Sequence, residues 1–123
     1  MDPIDRAKIE KIIQDREEAN KKFSSNGSKV YKNFLNLEKE AFSEGELKKM
    51  HKELIALGIS IVINCESCIE WHIKEALKAG ASKKQIIEAI EVGIEMGGGP
   101  ATVSSRFALK VLEYHGNKKE KEI

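Results

Sequence analysis

The chain has 123 residues, a length typical of one domain, and hydrophobic residues make up 41% of it. Lysine and arginine number 21 against 20 aspartate and glutamate residues, so the net charge of +1 provides no basic surface for nucleic acid. No apolar run reaches the roughly 18 residues of a membrane span, and the first residues lack the apolar stretch of a secretory signal. We therefore expect a cytoplasmic protein that binds neither nucleic acid nor membrane.

The first half of the chain shows helical periodicity without strand-like alternation. A charged amphipathic helix is predicted over 4–23, and a second helix over 29–41 follows the polar loop 24–28. The Ser-Glu-Gly-Glu sequence at 43–46 matches a capping box and predicts the start of a third helix, which ends at about Ile63. The second half of this third helix is nearly all apolar, which indicates burial.

The second half of the chain predicts three more helices, each with a recognisable boundary residue. They cover 66–79, ended by Gly80; about 82–96, opened by the capping box Ser82 to Gln85; and about 100–115, with Pro100 in its first turn and Gly116 at its end. The glycines at 97–99 predict a tight corner between helices. The predicted fold class is all-α, a single-domain bundle of about six helices, with a polar tail at 117–123.

Cys65, Cys68 and His72 carry the chemistry that the sequence suggests. Their spacing places them on one face of a helix. The cysteines open that helix, where unpaired backbone N–H groups favour a thiolate over a thiol. A thiolate pair with a nearby imidazole is the minimum apparatus for disulfide exchange or peroxide reduction. Two cysteines in a chain without an export signal also fit a reducing compartment, where paired thiols are often catalytic.

A base such as His72 needs an orienting partner, and Glu53 is the candidate. Antiparallel packing of the third and fourth helices would bring this carboxylate to the imidazole, where it would fix the tautomer. His51 and His115 are expected at the surface, and Trp71 in the core or an interface.

Two other interpretations of the cysteine pair stay open. Two thiolates with His72 and Glu53 could form a zinc site in a non-enzymatic module. Alternatively, the cysteines could be small apolar side chains of the core. A c-type haem site is excluded because Ile69 stands where the motif requires histidine.

Three segments together resemble the carboxymuconolactone decarboxylase superfamily, and most closely its AhpD-like alkylhydroperoxidase branch. They are Glu53–Leu57, the CxxCxxxH pattern from Cys65 to His72, and Gly97–Ala101. The resemblance covers roughly 38–115, and Glu53 precedes Cys65 by twelve residues as the branch requires. This divides the chain into a helical extension, 1–36, an AhpD-like core, 37–116, and the tail.

The resemblance implies an all-helical, cofactor-free homo-oligomer, either a trimer or a hexamer. It implies peroxide or disulfide substrates, and a protein or small-molecule dithiol as reductant. It also implies a proton relay from Glu53 through His72 to Cys68, which attacks, while Cys65 resolves. The helix-terminus argument by contrast favours Cys65 as the more acidic thiol.

Two features bear on how far the resemblance extends. Glu66-Ser67 stands between the cysteines, where the best-known branch members carry a histidine, and the additional acid would raise the pKa of the thiols. Decarboxylase members lack the cysteine pair, so a lyase is the weaker alternative. The third helix and the stripe Val103, Phe107 and Val111 also suggest more apolar surface than a monomer hides, which favours self-association.

Overall fold

The computed structural model describes the backbone of residues 1–122 and the side chains of residues 1–116. Within that part of the chain, every regular element is an α-helix, which confirms the predicted all-α bundle. The six helices are α1 (Pro3–Ser25), α2 (Lys29–Phe42), α3 (Lys49–Ile63), α4 (Glu66–Lys78), α5 (Lys83–Gly97) and α6 (Gly99–Glu122). None of these helices, over the described residues, is long and apolar enough to cross a bilayer.

Side-chain caps fix several helix starts. The Asp2 carboxylate accepts the N–H of Ile4 at 2.7 Å and so begins α1. The predicted capping box of α5 is fully formed: the Ser82 hydroxyl accepts the Gln85 N–H at 3.1 Å, and the Gln85 side chain accepts the Ser82 N–H at 2.9 Å. The glycine corner is also confirmed, since α5 ends at Gly97 and α6 begins two residues later.

Two predicted helix boundaries are wrong. The third helix begins at Lys49 and not at the capping-box motif, because Ser43 ends the preceding helix and its hydroxyl donates to the Glu40 carbonyl at 2.8 Å. Gly116 does not end the sixth helix, which continues to Glu122. The side chains of the predicted tail, 117–122, and residue 123 lie outside the described residues.

The core lies between α3, α4, α5 and α6, and the extension adds a single fully buried residue, Ile9 of α1. By contrast, α2 buries no residue completely and lies across the outside of the bundle. The central residues of the core are fully buried aliphatic side chains. They are Leu57 and Ile61 of α3, Ile69 and Ile73 of α4, Ile86 of α5, and Ala108 and Val111 of α6. Packing of α3 against α4 brings the helix that carries Glu53 next to the helix that carries His72.

Candidate functional site

A sharp corner between α3 and α4 positions the cysteines. Asn64 adopts the left-handed backbone conformation, with φ of 55°, and the Ser104 hydroxyl donates to its side-chain oxygen at 2.8 Å. The backbone N–H of Cys65 donates to the Ser60 carbonyl at 3.1 Å. These contacts reverse the chain and place Cys65 at the N-cap of α4.

Cys65 and Cys68 are joined in a disulfide, with their Cα atoms 5.2 Å apart. The Cys65 sulfur accepts the backbone N–H of Cys68 at 3.2 Å, so sulfur occupies the place of a capping oxygen. Both residues are half-buried. An N–H group and the positive end of the helix dipole both stabilise negative charge on sulfur once the disulfide is reduced. The site therefore holds the oxidised form of a dithiol whose thiolate the helix favours.

His72 and Glu53 form the contact that the sequence predicts. The imidazole Nδ1 lies 2.7 Å from Glu53 Oε2. Glu53 is only 2% exposed and His72 is 14% exposed, so little water competes for this contact. Lys49 lies 3.3 Å from the other carboxylate oxygen and compensates part of its charge. Since Glu53 engages Nδ1, the imidazole can exchange protons through Nε2.

Aromatic side chains border the Glu53–His72 pair. The ring of Phe42, at the end of α2, stacks on the His72 ring with centroids 5.3 Å apart. A cavity of about 360 Å³ is lined by Phe42, Glu53 and Trp71, among others. Trp71 is half-buried, consistent with the prediction of an interior or interface position. The surroundings of the pair therefore offer apolar space that an organic group could occupy.

A second charged cluster is centred on Glu70, which follows Cys68 by two residues on α4. Glu70 is completely buried, and its Oε2 lies 2.6 Å from Nε2 of His115. Its Oε1 pairs with Nη1 of Arg16 at 2.6 Å, in an ion pair that lacks the alignment of a good hydrogen bond. The predicted surface position of His115 is wrong, because packing of α6 on α4 leaves it only 10% exposed. His51 is exposed, as predicted.

The pKa of Glu70 lies below its usual value despite its burial. Burial is the largest single influence and would raise the pKa, since it penalises the charged form. The hydrogen bond from His115 and the contact with Arg16, together with their positive charge, outweigh it. Glu70 is therefore an anion at neutral pH.

The residues considered above as zinc ligands make other contacts in this structure. Among the described residues, no group of three or more histidine, cysteine, aspartate or glutamate side chains is arranged to hold a metal ion. Cys65 and Cys68 bind each other, and His72 is engaged by Glu53.

Comparison with known sequences identifies the family. Residues 28–111, more than half of the chain, match the carboxymuconolactone decarboxylase family. The chain belongs to this family. It is 42% identical over 87 residues to an uncharacterised protein of the cox locus of Paracoccus denitrificans, covering 71% of this chain and 78% of that one. It is also 36% identical over 81 residues to an uncharacterised protein of Cupriavidus necator, covering 66% and 69% of the two chains.

Solved structures of the family share the fold. A carboxymuconolactone decarboxylase family protein from Legionella pneumophila superposes with a TM-score of 0.83 at 29% identity, covering 88% of this chain and 96% of its own. A family member from Thermotoga maritima gives the same TM-score at 31% identity, covering 91% and 95%. A part in the antioxidative response has been suggested for the Thermotoga protein.

Proposed function

We propose that this protein is a cofactor-free thiol oxidoreductase of the alkylhydroperoxidase type, acting in the cytoplasm. It would reduce organic hydroperoxides, or disulfides, with electrons from a protein or small-molecule dithiol. The observation that carries the proposal is the Cys65–Cys68 disulfide at a helix N-terminus, one turn before an imidazole bound to a buried carboxylate. The suggested antioxidative role of the Thermotoga relative supports it.

In the proposed reaction, the thiolate of Cys68 attacks an oxygen of the hydroperoxide. The S–O bond forms as the O–O bond breaks, and the departing alkoxide takes a proton from His72 and leaves as an alcohol. Cys68 is now a sulfenic acid. The Cys65 thiol attacks its sulfur, the disulfide forms, and water leaves. A dithiol then restores both thiols by two exchange steps and becomes a disulfide itself.

His72 and Glu53 have distinct roles in this scheme. Nε2 of His72 takes the thiol proton and later supplies it to the leaving oxygen. Glu53 touches no reacting atom; it holds Nδ1 at 2.7 Å and so keeps the ring in the tautomer and orientation that the transfer needs. Glu53 is therefore a positioning residue.

Peroxide turnover with the two cysteine variants tests the proposal. With dithiothreitol as reductant and cumene hydroperoxide as oxidant, C65S and C68S should each lose turnover while their circular dichroism stays that of the wild type. A dimedone probe should label Cys68 in C65S, because its sulfenic acid cannot be resolved there. Labelling of Cys65 in C68S instead would reverse the order of attack. Turnover retained in both variants would refute the proposal.

We also propose that the protein self-associates, as a trimer or hexamer, through the outer face of α3 and α5. These helices border an open groove of about 720 Å³ whose lining is predominantly apolar. Its exposed aliphatic residues include Ile55, Ile59, Val62, Val92 and Met96. A contiguous apolar surface of this kind is uncommon on monomers.

A second apolar surface lies on α2, where Val30, Phe34 and Leu37 are exposed. Contact between the two surfaces of successive copies would join them head to tail, and such contacts form a ring when the rotation between copies closes.

A further inference from the structure

The two residues between the cysteines are both held by α1. Nζ of Lys8 lies 2.7 Å from Oε2 of Glu66. The Arg16 guanidinium donates from Nη2 to the Ser67 carbonyl at 2.9 Å and lies 3.1 Å from the Ser67 hydroxyl. This helix lies outside residues 28–111, the part of the chain that matches the family. Contacts to the dithiol segment thus come from the N-terminal extension.

Three groups fix the Arg16 guanidinium: the Ser67 carbonyl, the Glu70 carboxylate and the Trp71 ring. The fully buried Glu70 pairs with its Nη1 at 2.6 Å, and His115 holds the other oxygen of Glu70 in place. The guanidinium also lies over the Trp71 ring, 5.1 Å from its centroid. As a result, Arg16 is only 18% exposed, which is low for an arginine. Because the Arg16 guanidinium is largely buried, water and salt screen its positive charge less than they screen an exposed arginine. Its effect on the nearby cysteine segment is correspondingly larger.

The charges around the dithiol show what these two cations do. On α4 itself, Glu66 and Glu70 lie close to the cysteines in sequence, and α3 adds Glu53 through His72. Carboxylates near a thiol oppose its ionisation. On the other helices the balancing groups are His115 of α6, Lys49 of α3, and the two α1 cations. Lys74 of α4 also acts on Glu70, and Asp5, Arg106 and Lys110 line a surface cavity together with Lys8 and Glu66. Of the two carboxylates nearest the cysteines in sequence, Lys8 pairs with Glu66 and Arg16 pairs with Glu70.

We propose that Arg16 and Lys8 are positioning residues of the redox pair. They neutralise the carboxylates that flank the dithiol and hold Ser67, so that the reduced cysteines ionise near neutral pH. The inference rests on the proposed thiol chemistry of Cys65 and Cys68. It also removes an objection to that chemistry, since the acidic Glu66 between the cysteines does not act as an unpaired charge.

Alkylation of the reduced, full-length protein tests this inference. Iodoacetamide is reacted with the protein over a range of pH, and the rate at each cysteine is followed by mass spectrometry. R16Q should raise the pH at which alkylation is half-maximal by about one unit, because it leaves Glu70 without the positive charge of Arg16. R16K should fall between R16Q and the wild type, since it keeps the charge and loses the fork.

K8Q provides a second variant that should fold normally, because the side chains of Lys8 and Glu66 are 53% and 42% exposed. It should raise the midpoint by less than R16Q, and the double variant K8Q/E66Q should return it towards the wild type. K11Q is the matched control. It removes one positive charge from the same helix, but Lys11 pairs only with Asp15 of α1 in the described structure.

Equal midpoints for K8Q, R16Q and K11Q would overturn the inference, and so would a failure of E66Q to rescue K8Q. If R16Q does not fold, K8Q and its rescue decide the matter. Alkylation requires no peroxide, so the two proposals can fail separately. A wild type without peroxide turnover whose midpoint still depends on Lys8 would refute the proposed function alone. Turnover with an unchanged midpoint would refute only this inference.

Discussion

Glu53 and His72 meet at 2.7 Å from two different helices, and the carboxylate is almost fully buried. A buried carboxylate is costly unless it has hydrogen-bond partners. The contact therefore stabilises Glu53 in its buried position and at the same time orients the His72 ring. The cysteines lie at the start of the helix that carries His72. The packing of α3 on α4 therefore places the Glu53–His72 pair on the helix that begins at the Cys65–Cys68 disulfide.

Replacement of His72 should reduce turnover strongly. H72Q removes the group that transfers the proton in the proposed reaction, and general acid–base catalysis contributes about 10²- to 10⁴-fold in rate. The measurement is hydroperoxide consumption under saturating dithiothreitol. H51Q is the control because His51 is exposed and belongs to the same helix as Glu53. Equal rates for H72Q and H51Q would remove His72 from the mechanism.

Stability should depend on the ionisation of Glu70. Its pKa in the folded protein lies below the ordinary value of 4.5, so the charged form stabilises the fold above that pH. This contribution disappears as the pH falls through the lowered pKa. At pH 7, E70Q should lower the free energy of unfolding by about 3 kcal/mol or more, since it leaves Arg16 without its buried partner.

Urea unfolding at pH 7 and at acidic pH measures both effects. The wild type should lose stability on acidification more steeply than E70Q, because only the wild type has this carboxylate to protonate. E91Q, at an exposed position of α5, should follow the wild type at both pH values. Parallel pH dependence in wild type and E70Q would contradict the assignment of Glu70 as a buried anion.

Close packing of α3 against α5 requires glycine at position 93. A Cβ atom there would lie 2.8 Å from Ile61 and 3.1 Å from the Gly58 carbonyl, well inside contact distance. G93A should therefore lower the free energy of unfolding by about 1–3 kcal/mol through overpacking. G45A is the control, since a Cβ at Gly45 meets no atom within 4 Å. Equal stability of the two variants would show that the helices can separate without cost.

Charge on the α3–α5 face should prevent self-association. I59E places a carboxylate in the apolar groove and should convert the oligomer into a monomer in sedimentation velocity experiments. L47E is the matched control, because Leu47 is also exposed but lies outside this groove. An I59E protein that sediments like the wild type would move the interface elsewhere. A wild type that is monomeric at micromolar concentration would refute the proposed assembly.

Local sequence signals predicted the six helices and the contact between Glu53 and His72 well. Capping chemistry fixed the start of α5. The prediction that the apolar half of α3 is buried is wrong for its outer face, because Leu57 and Ile61 are buried whereas Ile55, Ile59, Val62 and Ile63 are exposed in the single chain. Glu53 and His72 could be paired from sequence because both lie on consecutive helices joined by a short corner. Ser43 misled, since serine can begin a helix as a hydrogen-bond acceptor or end one as a donor to its last carbonyls, and here it donates to Glu40 and closes α2.

The α1 contacts could not be predicted because they depend on tertiary packing. Arg16 contacts Ser67 across 51 positions of sequence, and His115 contacts Glu70 across 45. Because α1 is rich in charged residues, its sequence does not distinguish Lys8 and Arg16 from the lysines and glutamates that only face solvent. One sequence signal pointed to Arg16. It follows Ile9 by two helical turns, so both residues lie on the same face of α1, and this face is the one that packs on the bundle.

The most direct test of the central claim is a thiol titration of the purified, reduced protein before and after one equivalent of cumene hydroperoxide. The proposed thiol chemistry predicts the loss of two thiols per chain, with both restored by dithiothreitol and none lost in the C65S/C68S double variant. Thiols that survive the peroxide and become reactive only after a chelator is added would contradict it, and would identify Cys65 and Cys68 as metal ligands.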